Sequence, residues 1–436
     1  MSLRVRSSSQ ILLDPCWLKA EMFSESKSST NFCRRLLQRR QKRKAAKKKE
    51  KVEPIHRIFL AGSSDVGKTT IVKQLQKLAM QTKDCEMFDE NWQKIDSPLD
   101  LETRRDWART VRHNLLKIVA TLLKQVRVFN YSWPNETLER FAHQVMEYCG
   151  EDVAALHHRE VVVSADLAQK ITNLWNCPNS PLRNAMRRKS EFFISDSAEY
   201  FLESLKLYEI SQPDYIPTPD DIIRARDPTT GVKDYNFRVH KTRMSIHDMG
   251  GQPVEKKRIP VYLMNWLRNT KEGDKNFILY VAALSDYNMK HPDHEGFTLL
   301  DESIQLLKIL LNMQELESCG FIVFLNKCDI FEQKLREQTD FRTYFARYIE
   351  EMKKTQRKRA KRDRDESGSA LTLNEAEKVI ESCFAEALST TVRQEETLYC
   401  KHTCAVDTQM MESIFAAVRA DLIHDLISTG NWVPFP

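Results

Sequence analysis

The segment Gly62-Ser63-Ser64-Asp65-Val66-Gly67-Lys68-Thr69 spaces two glycines, a lysine and a hydroxyl as a phosphate cradle requires. It follows the apolar run Ile58-Phe59-Leu60-Ala61 and opens a helix-like segment from Thr70 to Met80. Glycines let backbone N–H groups turn onto phosphate oxygens, and the new helix presents its positive end to them. Lys68 neutralises the outer phosphates, the Thr69 hydroxyl can ligate Mg²⁺, and Asp65, Val66, Gly67 and Thr70 complete the wall. The expected ligand is a nucleoside triphosphate. Its base is chosen far downstream, where the apolar strand Phe321-Ile322-Val323-Phe324-Leu325 ends in Asn326-Lys327-Cys328-Asp329. A carboxylate at Asp329 accepts both the N1–H and the exocyclic amine of guanine, whereas adenine offers it a ring acceptor. The Lys327 stem can lie over the base, and Asn326 can tie this loop to the phosphate loop.

Two further segments make such a site chemical. Ile246-His247-Asp248-Met249-Gly250-Gly251-Gln252 ends a strand with a carboxylate that would hold Mg²⁺ through water, a glycine N–H for the γ-phosphate, and a glutamine to orient the attacking water. Arg224-Ala225-Arg226-Asp227-Pro228-Thr229-Thr230-Gly231 adds Thr229 to the metal shell and Arg226 to the charge on the γ-phosphoryl oxygens.

With these residues the chain resembles the α subunits of heterotrimeric G proteins. Tyr215-Ile216-Pro217-Thr218, Ala283-Leu284-Ser285-Asp286-Tyr287 and Thr403-Cys404-Ala405 extend the likeness over residues 55 to 425 or so. The resemblance implies an α/β fold, a P-loop GTPase (Ras-like) doubly wound sheet with an inserted all-helical domain. It also implies catalysis by Gln252 and Arg226, an arginine supplied in cis as that family is known for. Nucleotide contacts would come from Ser197, Arg224, Thr230, Gly251 and Ala405 besides the residues above. GTP and GDP are the implied ligands, with a G protein βγ dimer, a G protein-coupled receptor and an effector as partners.

The elements that must position these groups follow from composition and period. At 436 residues and roughly 150 per domain, two or three units are expected. The reading is a basic, partly helical segment over 1–54, a GTPase domain over 55–83 and 216–436, and a helical insertion over 84–215. In that insertion Trp107, Val111, Leu115, Ile118, Val119, Leu122 and Val126 recur at helical spacing. No run of about 18 apolar residues and no signal pattern occurs, so an intracellular address is expected, and the ten cysteines are expected as free thiols.

Residues 34–51 hold eleven Lys or Arg and one acid, net +10 against +6 for the whole chain. Such a block suits an anionic membrane surface, which places the protein in the cytoplasm, peripheral to the inner face of the plasma membrane. No nucleic-acid recognition fold accompanies it. Ser2 follows Met1, which removes the myristoylation site usual in the family, and leaves Cys16 and Cys33 as palmitoylation candidates. Other departures concern the reaction. Ser64 stands where the family has glycine and would crowd Gln252, Asp65 replaces a glutamate, and Pro253 and Pro260 would bend the second switch. The tail, with Gly430, Pro434 and Pro436, opposes the receptor-docking helix of the family. Hence two expectations stand: a GTP-hydrolysing switch, or a GTP-binding scaffold with little or no hydrolysis.

Overall fold

The computed structural model describes residues 54–150, 161–227, 231–239, 242–250, 258–337, 340–359, 371–394 and 398–427, with side chains from 353 to 359 and from 418 onward outside the description. The basic block, Cys16, Cys33, the tail, Thr229, Thr230, Gly251, Gln252 and Pro253 therefore lie outside the described residues.

Strand β1 (Ile55–Ala61) leads to helix α1 (Lys68–Gln81), two short strands β2 (Cys85–Phe88) and β3 (Lys94–Ile95), and the long helix α2 (Leu101–Val128). Helices α3 (Glu136–Cys149), α4 (Ala165–Asn176), α5 (Pro181–Arg187), α6 (Ala198–Leu202), α7 (Ser204–Ser211) and α8 (Pro219–Arg224) follow. Then come β4 (Val232–Val239), β5 (Thr242–Met249), α9 (Ile259–Arg268), β6 (Lys275–Ala283), α10 (Leu299–Leu311) and β7 (Gly320–Asn326). Helices α11 (Cys328–Glu337), α12 (Phe341–Tyr344), α13 (Ala346–Arg359) and α14 (Leu373–Ser389), strand β8 (Tyr399–His402) and helix α15 (Thr408–Ile427) complete the order.

The eight strands form one sheet in the order β3-β2-β4-β5-β1-β6-β7-β8. Strands β5, β1, β6, β7 and β8 run parallel, while β4, β2 and β3 extend the sheet antiparallel. Period-2 alternation divides the central strands between two cores. Ile58, Leu60, Leu279, Val281, Ile322 and Phe324 face α1 (Ile71, Val72, Leu75) and α15 (Met411, Ile414, Phe415). Phe59, Ala61, Ile278, Tyr280, Val323 and Leu325 face α9, α10 and α14 through Leu263, Trp266, Leu307 and Phe384. Near-continuous apolar strands are what a parallel sheet covered on both faces demands.

Helices α2 to α7 bury a third core of their own, centred on Val111, Leu115, Val119 and Leu122 with Ile171, Leu174, Phe201 and Leu207. Their starts are written locally: the Asp100, Asn135 and Ser164 side chains accept from the N–H groups of Thr103, Leu138 and Leu167. Thr218, Thr298 and Thr372 form capping boxes at the starts of α8, α10 and α14.

Two sequence expectations need correction. Residues 84–95, read as the start of the helical stretch, instead supply β2 and β3, because Cys85–Phe88 pairs with Asn236 to Val239 of β4. Four residues are too few to display a period, and the partner strand is remote in sequence. Pro260 does not break the helix it belongs to: it lies in the first turn of α9, where a backbone N–H has no intrahelical acceptor to lose.

Candidate functional site

The loops that follow β1, β5, β6, β7 and β8 open at the carboxyl edge of the parallel strands, where doubly wound sheets bind ligands. In the first, Gly62 has φ 144°, and a Cβ there would stand 2.2 Å from the Val281 carbonyl oxygen. Gly67 has φ 101°, and its Cβ would stand 2.3 Å from Asn326 Nδ2. Both positions require glycine, by backbone conformation and by space. Asp65 takes φ 59° without that freedom. Gly67 caps α1 with no side-chain hydrogen bond to the helix start, so the first N–H groups of α1 carry the donor surface that anions use. The Lys68 ammonium, buried, donates to the carbonyls of Gly62 at 2.9 Å and Ser63 at 2.6 Å, curving the loop around itself. Thr70, the third residue of α1, is half-buried beside it.

Asn326, at the end of β7, joins three loops. Its Nδ2 donates to Val66 O at 2.7 Å, and its Oδ1 accepts from the Thr403 hydroxyl at 3.0 Å and the Ala405 N–H at 2.9 Å. The Cys328 N–H donates to Thr403 O at 3.2 Å, closing the β7 and β8 loops together. Lys327 takes φ 60° and places its ammonium 2.6 Å from Asp196, in the loop before α6. Burial opposes the charge on Lys327, but Asp196 and Asp286 hold its pKa above the ordinary lysine range. Burial pushes the Asp286 carboxyl up to about 6, with Lys327 pulling the other way. Asp329 is exposed. Burial and the Asp329 carboxylate push the Cys404 thiol up to about 12.

On the third side the Thr69 hydroxyl donates to Asp248 Oδ2 at 2.8 Å. Asp248 is wholly buried, and burial raises its pKa against the pull of Thr69, Lys68, Lys233 and Lys73. Its Oδ1 has no hydrogen-bond partner among the described residues. A buried carboxylate oxygen left unpaired beside a threonine hydroxyl fits a hydrated Mg²⁺, whose shell supplies the missing donors. Arg226 Nη2 meets Asp65 Oδ2 at 2.7 Å, and its guanidinium lies 4.7 Å from the centre of the Phe193 ring. Arg224 instead stacks on Tyr200 at 4.6 Å and stands 3.6 Å from Asp220. Ser197 is the N-cap residue of α6, next to Asp196.

A sequence model described as the G-protein alpha subunit matches residues 34–422. The chain belongs to the G-protein alpha subunit family. Among its relatives, human guanine nucleotide-binding protein subunit alpha-13 is 24% identical over 381 residues, covering 87% of this chain and 88% of the relative. A guanine nucleotide-binding protein subunit alpha of Cryptococcus neoformans is 27% identical over 371 residues, 85% of this chain and 72% of the relative. The alpha-6 subunit of Dictyostelium discoideum is 26% identical over 370 residues, 85% and 89%. The chain is thus a divergent, guanine nucleotide-binding alpha subunit of G-protein signalling, from a family of GTPases.

Of the residues expected to form the site of this alpha subunit, the fold gathers Asp65, Val66, Gly67, Lys68, Thr69, Arg226, Asp248, Asn326 and Ala405 into one hydrogen-bonded neighbourhood, with Lys327 tied to Asp196. Three groups escaped the sequence reading. Asp286 was seen only within a matching string, without its burial. Lys73, buried, donates to Ile222 O at 3.0 Å and Ala225 O at 2.8 Å and lies 4.3 Å over the Trp107 ring. Burial pushes its pKa down to about 8. Asn114 contacts the backbone of Arg226. The signal for Asn114 was present: it is a polar residue on the apolar face that carries Val111, Leu115 and Ile118.

Proposed function

We propose that this alpha subunit hydrolyses GTP to GDP and phosphate and alternates between the two nucleotide forms in receptor-coupled signalling. The observation that carries the reading is the Thr69–Asp248 pair with its unpaired buried oxygen, in the same cradle wall as Arg226. Lys68 and the N–H groups of Gly67 to Thr70 would bind the phosphates, and Asp329, Lys327 and Ala405 would take the guanine, with Asn326 setting the loop between them. Thr69, Asp248 through water, and Thr229 would hold Mg²⁺. The ion, when bound, would neutralise charge on the phosphate oxygens. Arg226 would turn from Asp65 toward the γ-phosphoryl oxygens, and Gln252 would orient the water. Ser197, Arg224, Thr230 and Gly251 are assigned supporting contacts with the nucleotide.

The architecture fits a Ras-like GTPase domain with a helical insertion running from Leu101 to Ser211, the strands up to Ile95 going with the sheet. A βγ dimer, a receptor and an effector are the proposed partners. The basic block 34–51 is the proposed contact with the anionic inner face of the plasma membrane. No helix among the described residues is long and apolar enough to cross a membrane.

A second reading, a GTP-binding scaffold with little turnover, is favoured by the Asp65–Arg226 ion pair, which engages the arginine elsewhere, and by Ser64. Single-turnover phosphate release from preloaded GTP separates the two. Wild type should outpace both Gln252→Leu and Arg226→Ala; equal rates in all three would leave the scaffold.

A further inference from the structure

Arg226 is the residue on which the hydrolysis reading turns, and its main chain is held from a distant element. The Arg226 N–H donates to Asn114 Oδ1 at 2.6 Å, and Asn114 Nδ2 donates to the Arg226 carbonyl at 2.9 Å. One carboxamide thus satisfies both peptide groups of one residue, a match that needs a donor and an acceptor on the same planar end. The amide is itself fixed, since Nδ2 also donates to Thr110 O at 2.8 Å and only 8% of Asn114 is exposed. Immediately upstream, Lys73 from α1 holds the carbonyls of Ile222 and Ala225. The arginine is therefore placed from three directions: its side chain by Asp65 of the phosphate loop, the turn before it by α1, and its own peptide by α2.

We propose that Asn114 is a positioning residue for Arg226, through which the helical part of the molecule sets the rate of GTP hydrolysis. The proposal rests on the reading of Arg226 as the residue that stabilises the transferring phosphoryl group. Asn114 needs no contact with the nucleotide: it determines where the peptide of Arg226 starts, and so where the guanidinium can reach. Because Asn114 belongs to α2 and Asp65 to the phosphate loop, any movement of α2 away from α1 would carry the Arg226 peptide with it. Positioning matters steeply here, because a 1 Å displacement of a reacting group can cost roughly a hundredfold in rate.

The test is a double-mutant cycle in the full chain, read by single-turnover phosphate release from preloaded GTP. The proteins are wild type, Asn114→Leu, Arg226→Ala and the double variant, with GDP affinity and thermal melting recorded for each. Asn114→Leu should slow hydrolysis by about tenfold or more while GDP affinity stays within about threefold. The double variant should be no slower than Arg226→Ala alone, because a residue that acts only through Arg226 has nothing left to position. Asn114→Ser, which keeps a polar group in a smaller side chain, serves if the leucine variant does not fold, with the same non-additivity expected. Hydrolysis at the wild-type rate in either folded variant would overturn the proposal. So would a double variant slower than Arg226→Ala by the full factor of the single change, which marks a general packing effect. If wild type is no faster than Arg226→Ala, the hydrolysis reading itself fails and the role of Asn114 falls with it.

Discussion

Replacing Gly67 by alanine sets the backbone of the phosphate loop against the loop proposed to read the base. At φ 101° a side chain is strained, by about 1–3 kcal/mol for such a region. The new methyl carbon would also begin 2.3 Å from Asn326 Nδ2, so the amide must turn away. Turning forfeits its hydrogen bond to Val66 O, a further ~1 kcal/mol, and disturbs the Thr403 and Ala405 bonds on the same side chain. Taken together the change should cost about 3 kcal/mol, which equals roughly a hundredfold in a dissociation constant. That cost surfaces as lower stability if the loops hold their places, or as weaker nucleotide binding if Asn326 yields. Titration calorimetry with GDP and thermal melting of the nucleotide-free protein read the two parts. A Gly67→Ala protein that binds GDP within threefold of wild type and melts at the same temperature would refute the reasoning.

Asp329→Asn should move preference from guanine toward xanthine nucleotides, since an amide donor meets the xanthine O2; unchanged preference in competition binding would remove Asp329 from base recognition. Ser64→Gly should speed single-turnover hydrolysis with GDP affinity unaltered, if the serine crowds Gln252; an unchanged rate means it is accommodated. Burial pushes the Asp286 carboxyl up to about 6 in the fold, against about 3.9 for an ordinary aspartate. The native state therefore keeps a proton that the unfolded chain has released, and this residue's contribution falls as pH rises from about 4 to 6. Asp286→Asn should gain melting temperature relative to wild type across that window and hold the gain above it, and a pH-independent difference would argue against the buried charge.

The sequence by itself determined the chemistry and much of the scaffold. Gly62 to Thr69, Asp248 and Asn326 to Asp329 are short strings whose residue types suit the proposed phosphate, metal and guanine contacts. Strands β1 and β7 were legible as continuous apolar runs, and α2 by its period, because both patterns need only local burial. Tertiary structure decided what depends on remote neighbours. Strands β2 and β3 exist because β4 is there to pair with them, and Pro260 is harmless because α9 starts next to it. The unpaired Asp248 oxygen, the raised Asp286 carboxyl and the Lys73 cation are properties of burial, which the chain acquires only when the helices close over the sheet edge. Asn114 marks the boundary between the two. Its place on an apolar face was written in the sequence, but its partner, the peptide of Arg226, is separated from it by 112 residues and is brought there only by the packing of α2 against α8.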